Sequence, residues 1–376
     1  QDIGYVEQRI VAGGLIQLGG GGFQDQLTLG VFAQADFELT DTLTINVGGR
    51  YNYEEKDVEL ANIATNGGVG ATACSVFLDE CSIDFVDGDS WSRFTPKVGL
   101  TWAPTETVNV YAHWQQAIRS GGYNLRNTVQ PATIAGSDLD LGPGPFDEEI
   151  VNAFEIGAKT QPIDGAILNV AAYYNDINNA QRETNFPEAG SLIAQVITNS
   201  ADITLWGVEV DGQYAVTDNL LLTGFFGYVN GDYDNIFFDI SFPVNSTPAA
   251  SMFPGEINEL DFALEVPRLS PFTYGGGFIY SQELGDFGSA NFRFNYAFRD
   301  QNFFTDNNLG PLNAVDNVDS TLSFTESSGR ATLSLYGRNL LNQVNFGGAT
   351  PVGTGGTFAP LTRGRQVGIE LTVNFN

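Results

Sequence analysis

This 376-residue sequence predicts an all-β fold: a transmembrane, antiparallel, up-and-down β-barrel. Three observations predict it. Apolar residues recur at every second position through long stretches. The turns joining paired stretches are short at one end, whereas the segments at the other end are long. No apolar run approaches the ~18 residues that a membrane helix needs. Composition narrows the class further. Hydrophobic residues at 42%, with 28 Phe, are too many for a disordered chain, and 16% charged residues falls below the ~25% of ordinary soluble domains. Sixteen Lys+Arg against 45 Asp+Glu leave a formal net charge of −29, which excludes a nucleic-acid partner.

The alternation runs through each element in turn. Odd positions from Leu27 to Leu39 are apolar; Thr40-Asp41-Thr42 turns the chain, and the pattern resumes from Leu43 to Tyr53. Val98–Trp102 leads through Ala103-Pro104-Thr105-Glu106 to Val108–Trp114, and Phe154–Ala158 leads through 161–165 to Leu168–Tyr174. Trp206–Tyr214 turns at Thr217-Asp218-Asn219 into Leu220–Phe226. Phe278–Tyr280 turns at 283–286 into Phe292–Phe298, and Leu322–Phe324 turns at 326–329 into Leu333–Leu335. Val367–Phe375 is last, making about 13 strands, where bacterial single-chain barrels have an even number. Residues 1–26 read as an extracellular loop or partial strand, with Gly19-Gly20-Gly21-Gly22 a flexible loop, and 27–376 as the barrel region. Residues 58–88, 120–148, 183–201, 231–267, 300–315 and 341–360 read as long, irregular outer loops. Tyr51, Tyr53, Trp102, Trp114, Tyr174, Trp206 and Tyr228, near strand ends, suit an interfacial girdle.

Catalytic chemistry finds no foothold. The single histidine, His113, and the lack of a nucleophile elbow leave no acyl-transfer or zinc site, so the reading is not an enzyme and has no resident metal or cofactor. Cys74 and Cys81 are the only cysteines; they form either a local disulfide in an oxidising compartment or two free loop thiols, and the bridge is the expectation. Loop carboxylates, Asp138 and Asp140 with Asp147-Glu148-Glu149, or Asp306 with Asp316 and Asp319, suit Ca²⁺ as well as a plain solvated surface. On the wet strand faces Arg50, Lys97, Arg119, Arg293 and Arg299 oppose Asp36, Glu38, Glu155, Glu209, Asp211 and Glu370. Arg363 and Arg365 at the outer end of the last strand suit either lipopolysaccharide phosphates or capping of the final loop.

Several passages, taken in order, resemble the C-terminal barrel region of TonB-dependent outer-membrane receptors. They are Asp41–Tyr51, Phe94–Leu100, Arg119-Ser120-Gly121-Gly122-Tyr123-Asn124, Phe154–Lys159, Gly207–Val210, Tyr336-Gly337-Arg338-Asn339-Leu340-Leu341-Asn342 and the strand Arg365–Phe375. The resemblance implies a bacterial outer-membrane location and a barrel of 22 strands with a plugged lumen. This chain would then start around the tenth strand, with the plug domain and the first part of the barrel outside it. It implies a receptor that imports a scarce solute, typically an iron chelate or siderophore, driven by the periplasmic protein TonB acting through that missing part. Lumen and loop residues Arg119, Tyr123, His113, Arg293 and Arg299 become the candidate ligand contacts. The alternative is a passive or structural barrel of 14 strands, closed through residues 3–17. On the receptor reading the strands at 27–39 and 367–375 do not close onto each other.

Overall fold

Period-two alternation becomes one continuous ladder. The computed structural model describes residues 2–11, 16–62, 78, 83, 85–125, 143–188, 192–241, 257–308, 310–348, 350–351 and 357–375. The first strands are β1 (Asp2–Val11), β2 (Ile16–Thr40), β3 (Leu43–Asn62), β4 (Phe85–Thr105) and β5 (Val108–Arg119). Next come β6 (Glu149–Thr160), β7 (Ala166–Glu188), β8 (Leu192–Thr217), β9 (Leu220–Ile236), a single helical turn α1 (Glu259–Phe262), β10 (Phe272–Glu283) and β11 (Gly288–Arg299). Short β12 (Asn302–Phe303) pairs with β13 (Pro311–Leu312). Then follow β14 (Val315–Glu326) and β15 (Ala331–Arg338), the short pair β16 (Thr350–Pro351) and β17 (Thr357–Phe358), and finally β18 (Gln366–Val373). Fourteen of these form a single antiparallel sheet in the order β1-β2-β3-β4-β5-β6-β7-β8-β9-β10-β11-β14-β15-β18.

Register puts apolar against apolar across the sheet. Leu100 faces Ala112, which faces Ile156, then Ala172 and Val208. At the far end Leu322 faces Leu335, which faces Ile369. These side chains are not buried: Val31 is 73% exposed, Ile369 74% and Leu371 65%. A continuous exposed apolar face of this kind is the lipid surface of a barrel wall. Trp114, Phe154 and Tyr174 make a row along its outer margin at 6.4 and 6.3 Å between neighbouring rings. Trp206, Tyr228 and Phe272 continue it at 5.3 and 5.1 Å. Their place is that of an interfacial girdle.

Three expectations change. The sheet has one strand more than the period-two count, because Asp2–Val11 pairs with 16–25 of β2. The glycine run 19–22 is strand and not loop, and Gly20–Gly22 are paired on both sides. There the backbones press close: a Cβ on Gly22 would collide with the Glu59 carbonyl oxygen. Residues 58–62, 85–88, 183–188, 192–201 and 231–236, expected as loop, extend the ladder outward. Above the aromatic row water can reach polar side chains on either face, so the hydropathy pattern stops while hydrogen-bonded pairing goes on. The expectation about the edges holds. Among the described residues β1 pairs only with β2 and β18 only with β15, so the fourteenth strand does not close the sheet. The pairing of β4 with β5 covers only Lys97–Thr105 and ends beside Pro96, which has no amide hydrogen to donate.

The short turn after β14 is organised by one carboxylate. Glu326 accepts from the Ser328 hydroxyl and from the amides of Ser328, Arg330 and Ala331. The Ser328 hydroxyl, followed by the amides, holds its pKa down at about 2. A carboxyl depressed on folding stabilises above its unfolded pKa and loses that contribution as pH falls through the folded value. Glu326→Gln is therefore expected to lower denaturant resistance at pH 7, with the gap to the native protein closing between pH 4.5 and about 2. A second pair of variants checks the faces. Leu371→Arg, on the lipid side opposite Leu333, should cost about 2–4 kcal/mol in folding into lipid vesicles, whereas lumen-side Thr372→Arg should fold almost as the native chain does.

Candidate functional site

The inner face is polar. His113 lies between Gly99 and Glu155 in the register, and Glu155 is followed by Tyr173 and Gly207. The Tyr111 hydroxyl donates to Glu155 Oε1 at 2.6 Å, and the His113 ring lies parallel to the Tyr111 ring at 6.1 Å. Tyr111 lies across Gly157 and Tyr173 across Gly207; a Cβ on either glycine would collide with the tyrosine hydroxyl. His113 is thus a wall residue in an aromatic and carboxylate row. Arg293 stands between Ile279 and Thr321 on the same inner face, far along the sheet from His113.

Two apolar packs fold inward at the outer rim. The first gathers Val58, Leu60, Trp91 and Tyr123. Val58 and Leu60 share strand parity with Arg50 and Asn52, so this pack covers the lumen side. The motif Arg119–Asn124 supplies its clasp. Tyr123 is 7% exposed, stands edge-on to Trp91 and Phe85, and donates to Asp87 Oδ2 at 3.1 Å. Burial and that carboxylate push the phenol pKa well above its ordinary value. Lys56 Nζ donates to the Gly121 carbonyl at 2.7 Å, pairs with Glu54 at 2.7 Å and lies over the Trp91 ring. Asn124 exchanges two hydrogen bonds with the Ile197 backbone, at 2.9 and 2.7 Å. Arg93 pairs with Glu148 where β4 and β5 have parted. Arg119, by contrast, is exposed.

The second pack joins Ile203, Tyr233, Ile236, Phe238, Ile240 and Val266, again on the lumen side, since Ile203 shares parity with Glu209. Its polar anchors are the carboxylates of Asp261 and Asp306. Asp261 is fully covered; it accepts from the Ser241 and Asn258 amides at 2.8 and 2.9 Å, and burial raises its pKa. Asp306 accepts from the Tyr233 hydroxyl at 3.2 Å and stands 3.8 Å from Arg182 Nε. Burial raises the pKa of both Asp306 and Tyr233. Asn308 exchanges two bonds of 2.8 Å with the Glu265 backbone, tying residues 302–308 to 257–269. Aromatics in stretches with no period-two pattern (Trp91, Tyr123, Tyr233, Phe238) were the only sequence signal for these packs.

The candidate contacts do not converge on one surface. Tyr123 is spent on packing, His113 and Arg293 line the inner wall, and Arg119 stands at the rim of β5. Arg299, at the outer end of β11, lines a cavity of about 400 Å³ together with Arg363. Asp138 and Asp140, like Cys74 and Cys81, lie outside the described residues. Four of the other loop carboxylates have protein partners: Glu148 the Arg93 guanidinium, Glu149 the Gln181 amide, Asp316 the Tyr296 hydroxyl and Asp319 the Asn339 amide. Among the described residues no three acidic, histidine or cysteine side chains gather as a metal site.

Comparison with known proteins bears on this wall and mouth. Residues 13–340 match the family model described as "TonB dependent receptor-like, beta-barrel". The rhizobactin receptor of Rhizobium meliloti (strain 1021) is 28% identical over 172 residues, covering 40% of this chain and 20% of that protein. The ferric yersiniabactin uptake receptor FyuA from Yersinia pestis superposes with a TM-score of 0.72 at 17% identity, over 96% of this chain and 47% of that one. The siderophore receptor PiuA from Acinetobacter baumannii gives 0.63 at 14% identity, over 95% and 43%. The chain spans a little under half the length of these two solved structures.

The second pack makes a measurable claim. Arg182→Met would take the paired cation from the Asp306 carboxylate and leave it only the weaker pull of Arg268, at a cost of about 2 kcal/mol given the partial exposure of both side chains. Hydrogen exchange should show residues 257–269 and 302–308 losing protection while β5 and β6 keep theirs.

Proposed function

Because the chain belongs to the TonB-dependent receptor-like β-barrel family of the bacterial outer membrane, we propose that it is the wall and outer mouth of an active-transport receptor for a scarce solute, an iron chelate of the siderophore type. The observation that carries this reading is the pairing of a continuous lipid-facing belt with a polar inner wall whose rim is folded inward. A lumen lined by Tyr111, His113, Glu155, Glu209 and Arg293 offers hydrogen bonds and charge to a solute or to a plug domain. The inward packs narrow the entrance from two sides and hold rim residues such as Arg119 where a ligand arrives.

On this reading a plug domain and the strands that complete the barrel are partners of this chain. Energy comes from TonB in the periplasm, and lipid and lipopolysaccharide surround the apolar belt. The relatives' names, rhizobactin receptor and ferric yersiniabactin uptake receptor, support the iron-chelate class. The open order of the sheet supports a wall completed by further strands over a self-closed passive barrel.

The test is import of radiolabelled ferric siderophores into cells lacking the full-length gene. Uptake of at least one chelate should fall on deletion, return with the gene and vanish when TonB is removed. Uptake that persists without TonB, with the slow linear dependence of a passive pore, would favour the structural barrel.

A further inference from the structure

We propose that the cavity between the outer end of β11 and the base of the last loop is an anion subsite, one that takes a carboxylate or phosphate group of a small solute. The proposal deepens the uptake reading and rests on it for the ligand's direction of entry. The chain carries a net charge of −29, yet the described residues lining this space of about 400 Å³ include two arginines, Arg299 and Arg363, and no Asp or Glu. Asn317, Asn345 and Thr362 complete a polar lining able to hydrogen-bond.

Among the described residues Arg299 and Arg363 form no ion pair. Arg299 spends N–H groups on neutral oxygens at long range: Ser270 Oγ at 3.3 Å, the Asp300 carbonyl at 3.5 Å and the Asn313 carbonyl at 3.4 Å. A guanidinium has five donors in a planar fork that matches carboxylate and phosphate oxygens, so both residues retain donors for an anion that enters the cavity they line. The nearby carboxylates are engaged elsewhere, Asp316 by Tyr296 and Gln343, Asp319 by Asn339 and Asn317.

The wall is also set in advance, and the motif Tyr336–Asn342 sets it. Asn339 and Asn342 take left-handed backbone angles, φ 48° and 57°. The Asn339 side-chain amide donates to the carbonyls of Gln343 at 2.7 Å and Arg363 at 3.0 Å, and its oxygen accepts from the Gln343 amide at 2.9 Å. Asn342 accepts from the Arg365 amide at 2.9 Å. The backbone that carries Arg363 is thereby pinned to the end of β15, which lowers the ordering cost of binding.

The experiment is isothermal calorimetry on the full-length receptor in detergent, with citrate and inorganic phosphate as the probes and glycerol as the neutral control. At least one anion should bind saturably and more weakly as salt rises, and glycerol should not bind. Arg299→Gln and Arg363→Gln should each weaken binding about tenfold or more. Arg299→Lys should fall between, and Arg330→Gln, at the opposite end of the sheet, should bind as the native protein does. Folding of every variant is checked by heat-dependent gel mobility; Arg363 is exposed, so its variant keeps the test valid if the Arg299 variants misfold. Native-like binding by folded Arg299→Gln or Arg363→Gln overturns the subsite, as does the absence of anion binding by the native receptor. Because the readout is equilibrium binding, the subsite and the transport reading can fail separately.

Discussion

In hydrocarbon a backbone amide or carbonyl has no water to turn to, and each one left unpaired costs several kcal/mol. Everything else in this wall follows from meeting that demand with an antiparallel ladder. The ladder fixes which residues stand opposite each other. Side-chain alternation then assigns one set to lipid and the other to the interior, and a slip of one residue would exchange the sets. The apolar-to-apolar register from Leu100 through Val208 expresses that assignment strand after strand. The same ladder carries the polar set, so a chain selected for an apolar exterior also acquires a hydrogen-bonding interior.

What the sequence made legible was the membrane-spanning part. Positions such as Leu27–Leu39 and Val367–Val373 alternate because lipid touches one face only, and their faces emerge as read. Above the aromatic row that asymmetry ends. Residues 192–199 stay paired with β7 and 231–236 with β8, but the hydropathy of 196–201 and 231–236 follows the packing of an irregular cap. No period announces them. The inward packs depend on contacts between residues far apart in sequence, such as Asn124 with Ile197 or Asn308 with Glu265, and a single sequence does not expose such contacts.

The candidate site was legible in the same partial way. Parity placed His113, Arg293 and Arg299 on the inner face, and the structure keeps them there. Parity could not say that Tyr123 would turn its hydroxyl to Asp87 and become part of the rim's core, nor that Arg363 would share a cavity with Arg299. Both depend on how the chain leaves its last ladder pair, which is decided by local turns. The left-handed asparagines at 339 and 342 are one example.

The tyrosines lying across Gly157 and Gly207 carry a consequence for how such a wall can change over generations. Each ring occupies the space that a β-carbon on the neighbouring strand would need, so neither partner is free to vary alone. A larger residue at Gly157 is admissible only once Tyr111 has shrunk or swung away, and loss of the ring uncovers bare backbone that a side chain can then shield. In a collection of relatives these positions should drift as couples, ring with glycine or small with larger. The couples would mark neighbouring strands through covariation, even where the alternation itself has faded.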